Sequence, residues 1–353
     1  MPNWIVRQYR AEDKEQSLAL MEAVSGKPAE RDVYEWYIER NPYGANMGWV
    51  ADDHGRICGR YGMIPEEIQV QGKRLPVTQA VEIMTHPDYR RQGMFPAMAE
   101  QVFADLPPMG YRFTIGFPND AARPGHLKFG WKELGFIRAS VRPIHTAVVA
   151  KRLYKNPAKA ALVGLLGDIY LKLFLDWRKP AGLGNVQSRT LDRFDDRFDD
   201  LWRRVGARYP IALVRDSRYL NWRYVDCPFP YIKRSFEIGG RLAGCSIMRV
   251  LPRGGATEGH ICDLILETET SYLFDVAAWY AIQDCRAAGA DLVGFRMHSH
   301  DNYLQRFTSH GARLYQGKMT LIVYDKNLPA EGLGLDHCDL NNWLISMGDS
   351  DAI

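Results

Sequence analysis

The chain of 353 residues repeats itself faintly at a spacing of about 180 positions, and this limits its fold more than any local pattern does. Tyr34-Glu-Trp36, followed by Asn41-Pro42, returns as Tyr219-Leu-Asn-Trp222, followed by Cys227-Pro228. A glycine-turn hairpin returns as Ile238-Gly-Gly-Arg241, and Val81-Glu82-Ile83 as Cys262-Asp263-Leu264. Gly116-Phe117 returns as Gly294-Phe295, and Gly130-Trp131 as Gly311-Ala312. The spacings for Trp36/Trp222, Glu82/Asp263, Gly116/Gly294 and Gly130/Gly311 are 186, 181, 178 and 181 residues. Each match is weak alone, but their constant order and near-constant spacing point to a duplicated domain. The expected division is a first domain over 1–150, a linking helix and linker over 151–189, a second domain over 190–330 and a tail over 331–353.

Within the first copy, residues 10 to 40 read as helical, with Asp13 as a cap and a second short helix ending at Asn41-Pro42. Strand-like runs follow at Met47–Ala51, Ile57–Ile64, Glu67–Val70 and Val77–Met84, separated by the turns Asp52-Asp-His-Gly55 and Gln71-Gly72-Lys73. They form an antiparallel meander. After the helix Met94–Leu106 come a strand at Arg112–Phe117, a short helix after Asn119 and a last strand within Ala139–Val149. Helices, then antiparallel strands, then alternating helix and strand is an α+β order.

At the end of the meander the apolar run from Val81 turns at His86-Pro87-Asp88 and enters a basic loop, Arg90-Arg91-Gln92-Gly93. Pro96 stands in the first turn of the next helix, where its missing N–H costs nothing. A strand, a glycine-containing loop and a helix N-terminus make an anion site, strengthened by two arginines. The natural guest is a phosphate or pyrophosphate. The loop lacks the Lys-Ser/Thr ending of an ATP-binding loop and the three spaced glycines of a dinucleotide loop. In the second copy the corresponding stretch is Leu266-Glu-Thr-Glu-Thr-Ser271, whose carboxylates repel a pyrophosphate.

Composition sets the remaining bounds. A net charge of +3 is too small to argue for nucleic acid or a membrane surface, so any strong positive field is local. Six scattered cysteines form no C-x-x-C pair and no metal-ligand spacing, which fits reduced thiols in a cytoplasm and no bound metal. Met1-Pro-Asn-Trp-Ile-Val-Arg7 is not a signal peptide. The longest apolar stretch, Ala160–Trp177, contains Asp168 and Lys172 and is too short to span a bilayer. Its basic flanks (Lys151, Arg152, Lys155, Lys159, Arg178, Lys179) allow an interfacial helix. The preferred expectation is a linking helix packed between two domains, ending at the linker Pro180-Ala-Gly-Leu-Gly184.

The basic loop resembles the coenzyme A loop of the GNAT superfamily, the acyl-CoA-dependent N-acyltransferases. Arg90, Gly93 and Phe95 occupy its three marked places, with Phe95 standing where a small residue is usual. Trp36-Tyr37, Asn41-Pro42, Gly116-Phe-Pro-Asn119 and Gly348-Asp349-Ser350-Asp351 are similar to motifs of tandem GNAT enzymes of bacterial surface-sugar and small-molecule pathways. The resemblance implies two GNAT-like domains, each a mixed, mainly antiparallel sheet flanked by helices, the second degenerate. It implies acyl transfer, first of all acetyl transfer, from acyl-CoA to the amine of a small molecule such as a nucleotide-linked amino sugar. No nucleic acid and no membrane span are expected, and homo-oligomerisation is left open.

By resemblance, the strand end at Met84-Thr85 receives the coenzyme arm, and the amides of Arg91, Gln92, Gly93, Met94 and Phe95, with Arg90, take the pyrophosphate. Asn119 caps the following helix and touches the same arm. Glu82 is the candidate base for the amine, against the alternative of an ordinary strand carboxylate facing solvent or an arginine partner. His126 stands where the family carries a tyrosine that protonates the leaving thiolate, and an imidazolium can supply that proton, against the alternative of a ring that only packs over the coenzyme, as an inert aromatic does in relatives. Trp36, Asp263, His298 and His300 are candidates for the acceptor site. Asp263 has a core arginine as its alternative partner, and the histidines have a loop network. Two rival functions share the fold: an aminoacyl-tRNA-dependent peptidyltransferase, which needs a long basic groove, and a non-catalytic coenzyme A-binding module.

Overall fold

The structure, a computed structural model, describes residues 3–45, 47–267 and 272–350. Strand β1 (Ile5–Gln8) leads into helices α1 (Lys14–Ser25) and α2 (Arg31–Tyr34), then strands β2 (Gly48–Asp53), β3 (Arg56–Val70) and β4 (Lys73–Thr85). Helix α3 (Met94–Asp105), strand β5 (Thr114–Gly116), helix α4 (Arg123–Phe129) and strands β6 (Lys132–Phe136) and β7 (Ala139–Pro143) follow. Helices α5 (Thr146–Leu153) and α6 (Pro157–Leu171) connect the halves. The second half runs β8 (Gln187–Thr190), α7 (Arg197–Gly206), β9 (Ile211–Leu213), α8 (Ser217–Tyr224), β10 (Ile232–Ile238), β11 (Arg241–Arg253) and β12 (Ala256–Leu266). It continues through α9 (Leu273–Ala287), β13 (Leu292–His298), α10 (Tyr303–Phe307), β14 (Arg313–Tyr315) and β15 (Thr320–Tyr324), and β16 (Trp343–Ser346) lies near the end.

The expected helical span 10–40 breaks at Gly26, whose φ of +70° closes α1, with Pro28 close behind. The two strand runs expected at Ile57–Ile64 and Glu67–Val70 are one strand, β3, that runs straight through Pro65. On that edge β2 stops pairing at Gly62 and β9 starts at Ile68, so a residue without an N–H loses no ladder bond there. The carbonyl of Pro65 accepts instead from the Asn41 side chain at 3.0 Å. Strand β6 was not anticipated, because Lys132-Glu133-Leu134-Gly135-Phe136 carries no clear alternation.

Strand pairing repeats across the halves. The pairs β1–β2, β2–β3 and β3–β4 have the antiparallel counterparts β8–β10, β10–β11 and β11–β12, and the parallel pair β4–β5 is matched by β12–β13. The final strands cross over. Strand β7 of the first half lies between β13 and β14, and β15 of the second lies between β5 and β6. Val141 faces Gly294 in one junction and Ile322 faces Gly116 in the other. Ile322 follows Val141 by 181 residues, the same spacing as the sequence repeat. All sixteen strands join one continuous sheet, with β9 and β16 at its centre. Between the halves, Trp36 and Trp222 stack at 5.4 Å and bond reciprocally: each indole N–H donates to the other's carbonyl, at 2.7 and 3.2 Å.

Helix α6 corrects one expectation. It is not sandwiched between domains but folds back on α5 as a hairpin, with Gly164 against the backbone of Ala147. Thr146 ties the two helices by donating from its hydroxyl to Gly164 O at 2.6 Å and to Asp168 at 2.8 Å. The opposite face of α6 points outward.

The exchange predicts how the chain divides. A fragment ending at residue 150 leaves β5 and β6 without the strand between them, and should show no cooperative thermal transition by circular dichroism. Co-expressed with 151–353, it should be recovered as a folded 1:1 complex by size-exclusion chromatography. A fragment 1–150 that melts cooperatively alone would show that the exchanged strand is dispensable.

Candidate active site

Strand β4 makes the site by ceasing to be regular. It pairs in parallel with β5 only from Thr78 to Ala80, opposite Thr114 to Gly116. Beyond Ala80 no strand partner on that side is found among the described residues, and β5 itself ends at Gly116, so that edge of β4 is left open from Val81 on. On the other side, the register against β3 slips between Arg60 and Gly62, a β-bulge centred on Glu82. Glu82 takes a left-handed φ of +48°, strained for a residue with a Cβ. Below the bulge the ladder resumes: Met84 stands opposite Arg60, and His86 N–H donates to Cys58 O at 2.9 Å. Main-chain direction alternates along a strand, so Met84 faces β3 and the Thr85 amide faces the open side. A gap-facing donor beside Met84 is therefore the N–H of Thr85.

Four residues further on lies the basic loop. A short helical turn over Pro87–Tyr89 is pinned by Tyr89, whose hydroxyl donates to Asp53 at 2.6 Å. Arg91 (φ +64°) and Gly93 (φ +76°) are both left-handed, which folds the backbone into a concavity in front of the N-terminus of α3. Gly93 meets that requirement without strain. The amides of Gly93, Met94 and Phe95 have no acceptor inside the helix they begin. Arg90, Arg91 and Gln92 are exposed, and neither arginine forms an ion pair among the described residues. The side chain of Met94 is buried in the core with Trp49 and Met98, so only its amide reaches the loop. The Phe95 ring turns inward onto Tyr61 (6.1 Å), His126 (5.3 Å) and Phe129 (6.4 Å), which leaves the loop clear.

On the other face of the bulge is a cleft of about 460 Å³, lined by Met21, Val24, Lys27, Glu30, Tyr34, Trp36, Tyr37, Glu82, Ile83, Met84, Arg223 and Phe229. Glu82 meets Arg60 there, with Nε donating to Oε2 at 2.9 Å. Arg60 is wholly buried and sits over the rings of Tyr9 (4.6 Å) and Tyr34 (5.2 Å). Burial works against its charge, but the Glu82 carboxylate, aided by Tyr34 and Tyr9, more than compensates and lifts its pKa above the usual value. The other Glu82 oxygen has no hydrogen-bond partner among the described residues. Sequence reasoning missed Arg60. A single charge inside the apolar run Cys58–Ile64 was the available signal, since such a charge needs a buried partner.

The structure separates the remaining candidates. His126 is 4% exposed, packs edge-on against Trp131 at 5.1 Å, and its Nδ1 lies 2.9 Å from Ala122 O. Burial depresses its pKa, only partly offset by that carbonyl. Desolvation in this packing disfavours the imidazolium that an acid role calls for. Asn119 caps the turn before α4, accepting from the amides of Ala121 (3.1 Å) and Ala122 (2.9 Å). Trp36 does line the cleft beside Glu82. Asp263 does not: it is 1% exposed and bonded to Arg215 and Tyr224, each at 3.0 Å, the core-arginine alternative. His298 and His300 line a different cleft of about 280 Å³ with Arg138 and Asn341. There burial lowers the His298 pKa, and Asp301 is engaged by Arg208 and Tyr209. The four proposed acceptor residues therefore do not form one site.

The second half has the same opening, but it is filled. Strands β12 and β13 pair only up to Ile261 and Phe295, and the C-terminal segment enters beyond that point. Met297 and His298 pair with β16, and Met347–Asp349 pack against β12. Asp349 receives two bonds from Arg215 (2.6 and 2.8 Å), and the carbonyl of Gly348 accepts from Arg223 at 3.1 Å. Gln79 of β4 donates to Asp349 O at 2.7 Å, tying the tail to the first half. Residues 268–271 and Asp351, parts of the second-copy loop and the tail motif, lie outside the described residues.

Comparisons with known proteins agree with this geometry. Residues 5–134 match the family model of the acetyltransferase (GNAT) domain. No curated protein matches the chain. Among solved structures, a GCN5-related N-acetyltransferase from Anabaena variabilis superposes with a TM-score of 0.65 at 12% identity, covering 91% of this chain and 72% of that one. A probable N-acyltransferase of Enterococcus faecalis gives 0.65 at 12% identity, over 92% and 73% of the two chains. The N-myristoyltransferase of Saccharomyces cerevisiae, solved with bound myristoyl-CoA and inhibitors, gives 0.61 at 12% identity, over 92% and 80%. Residues 5–134 thus match an acetyltransferase (GNAT) domain, and the chain as a whole takes the α+β fold of the GNAT N-acyltransferases it superposes on.

Proposed function

We propose that this protein transfers an acyl group, first of all acetyl, from acyl-CoA to a small-molecule amine, and that only its first half binds the coenzyme. The observation that carries this reading is the edge of β4 left without a strand partner beyond Ala80 among the described residues, leading into a basic, left-handed loop at a helix N-terminus. The loop amides from Arg91 to Phe95 and the cations of Arg90 and Arg91 take the pyrophosphate. The coenzyme arm runs along the free edge of β4 past Asn119. The N–H of Thr85 faces the thioester oxygen, a donor of a kind worth about 3 kcal/mol in acyl transfer. The second half is a degenerate GNAT-like domain over about 190–330, whose corresponding opening holds the chain's own tail.

The acceptor enters the cleft on the far side of the bulge, whose volume suits a small molecule and whose Trp36 and Tyr37 offer flat aromatic faces. A nucleotide-linked amino sugar is the acceptor class we favour. Glu82 is held at one oxygen by Arg60 and keeps the other free on the cleft side. It removes a proton from the acceptor ammonium, directly or through one water. The neutral amine then attacks the thioester carbon and the C–N bond forms; the nitrogen loses its surplus proton to water, the C–S bond breaks, and the thiolate leaves to be protonated by solvent. His126 positions Phe95 and α4 and takes no proton.

Four measurements test this. Arg91→Glu should abolish acetyl-CoA binding in calorimetry, where the wild-type chain binds at a stoichiometry of one. Undiminished binding, or two sites per chain, overturns the assignment of the loop. Glu82→Gln should lower kcat by about 100-fold or more, the usual size of general-base catalysis, with little change in the KM for acyl-CoA. That substitution also leaves Arg60 buried and unpaired, at a cost of about 3 kcal/mol. The double variant Arg60→Met/Glu82→Gln should regain stability in urea without regaining activity, which separates base from brace. His126→Phe should keep kcat within about tenfold of wild type, well short of the loss of a general acid. A larger loss at unchanged stability would restore the histidine to the mechanism.

A further inference from the structure

We infer that the α5–α6 hairpin is a docking surface for an anionic lipid bilayer. Thirteen large hydrophobic side chains are exposed among the described residues, and nine of them lie between Leu153 and Trp177. Leu162, Leu165, Leu166, Ile169, Leu173 and Trp177 recur at three- and four-residue steps, so they form one stripe along α6 and its continuation. Ala160, Gly164 and Leu171 form the buried stripe on the other side. The helix is therefore apolar on two faces, only one of which the protein covers. Exposures of 57% at Leu162, 59% at Leu165 and 66% at Trp177 are those of side chains lying outside the fold rather than in a shallow depression of it.

Charge says what covers the outer face. Lys151, Arg152, Lys155, Lys159, Lys172, Arg178 and Lys179 are exposed around it, and of these only Arg152 has an ion-pair partner among the described residues (Glu258, 3.7 Å). The acidic groups of the segment are turned inward: Asp168 accepts from Thr146, and Asp176 is held by Arg142 and Arg286. A rim of cations around leucine, phenylalanine and tryptophan matches the headgroup and upper acyl region of an anionic membrane. A second copy of the chain meets like charge across the same rim, which argues against a dimer. With 15 residues, α6 is too short to cross the bilayer, and no helix among the described residues is long and apolar enough to do so, so the hairpin lies along the surface. An apolar cleft of about 640 Å³ opens beside it, lined by Val149, Leu153, Val163, Tyr170, Leu171 and Leu175. Leu153 and Tyr170 belong to both cleft and exposed surface, so the cleft can receive part of a lipid chain from the same direction.

The test is sedimentation of the full chain with vesicles of phosphatidylcholine alone or with about one third phosphatidylglycerol. The expected result is at least tenfold stronger binding to the anionic vesicles, a loss of most of it in 0.5 M salt as counter-ions screen the rim, and a blue shift of tryptophan emission. Leu165→Asp/Leu166→Asp/Ile169→Asp should abolish binding, and Lys155→Gln/Lys159→Gln/Lys179→Gln should weaken it several-fold. All of these positions are exposed, so both variants should keep the wild-type melting temperature and acetyl-CoA affinity. Absence of vesicle binding by the wild-type chain overturns the inference, as does binding that the apolar triple variant retains. A stable dimer that the same triple variant dissociates, without vesicle binding, assigns the face to a second copy instead.

Discussion

Neither half of this protein owns a complete sheet. Strand β7 belongs by sequence to the first half and by hydrogen bonding to the second, and β15 does the reverse. Each exchanged strand supplies both neighbours of a gap that would otherwise expose ladder groups, an outcome folded proteins avoid. The halves are therefore bound by main-chain bonds at two places, with the Trp36/Trp222 pair between them. This arrangement fixes the relative placement of everything else, including the cleft, whose walls come from α1, α2 and β4 on one side and Arg223 and Phe229 on the other.

The asymmetry between the halves is what turns a repeated fold into one site. Both copies carry a bulge where β4 or β12 leaves its parallel partner, and both open there. At the second opening the space is occupied by Met347–Ser350, held by Arg215 and Arg223 with their charges wholly buried. Asp263 and Asp349 answer Arg215 there, as Glu82 answers Arg60 in the first half. The acid-arginine theme is thus repeated, with one difference. Glu82 has an oxygen left over beside a cleft, whereas Asp263 is enclosed and fully bonded. A carboxylate that exhausts its bonding capacity holds the fold together, and one that keeps a lone pair at a cavity can do chemistry.

How much of this was legible depends on whether the signal was local. The basic loop was, because Gly93 next to a Pro-containing helix start specifies a backbone shape, and arginines beside it specify a charge. The meander was legible for the same reason, apart from Pro65, whose tolerance depends on which neighbours pair with each edge of β3. Glu82 was singled out on its strand, but its partner came from the strand next to it. His126 was singled out for its position, but the packing against Phe95 and Trp131 that disfavours its charge is not written at position 126. The acceptor candidates in the second half were chosen from the repeat itself, which says where a residue lies in its copy but not which surface remains open.

The sequence alone determined the faint repeat, most of the order of elements in its first copy, the basic glycine loop before α3 and the apolar, base-flanked character of α6. Each is a property of neighbouring residues or of a fixed spacing, and survives in the chain before it folds. Only the tertiary structure decided that the last strands trade places, that the tail fills one opening and leaves the other, that Arg60 anchors Glu82, and that α6 turns an apolar face outward. Those outcomes depend on which distant groups compete for the same buried space and the same hydrogen bonds, and that competition exists only once the chain is compact.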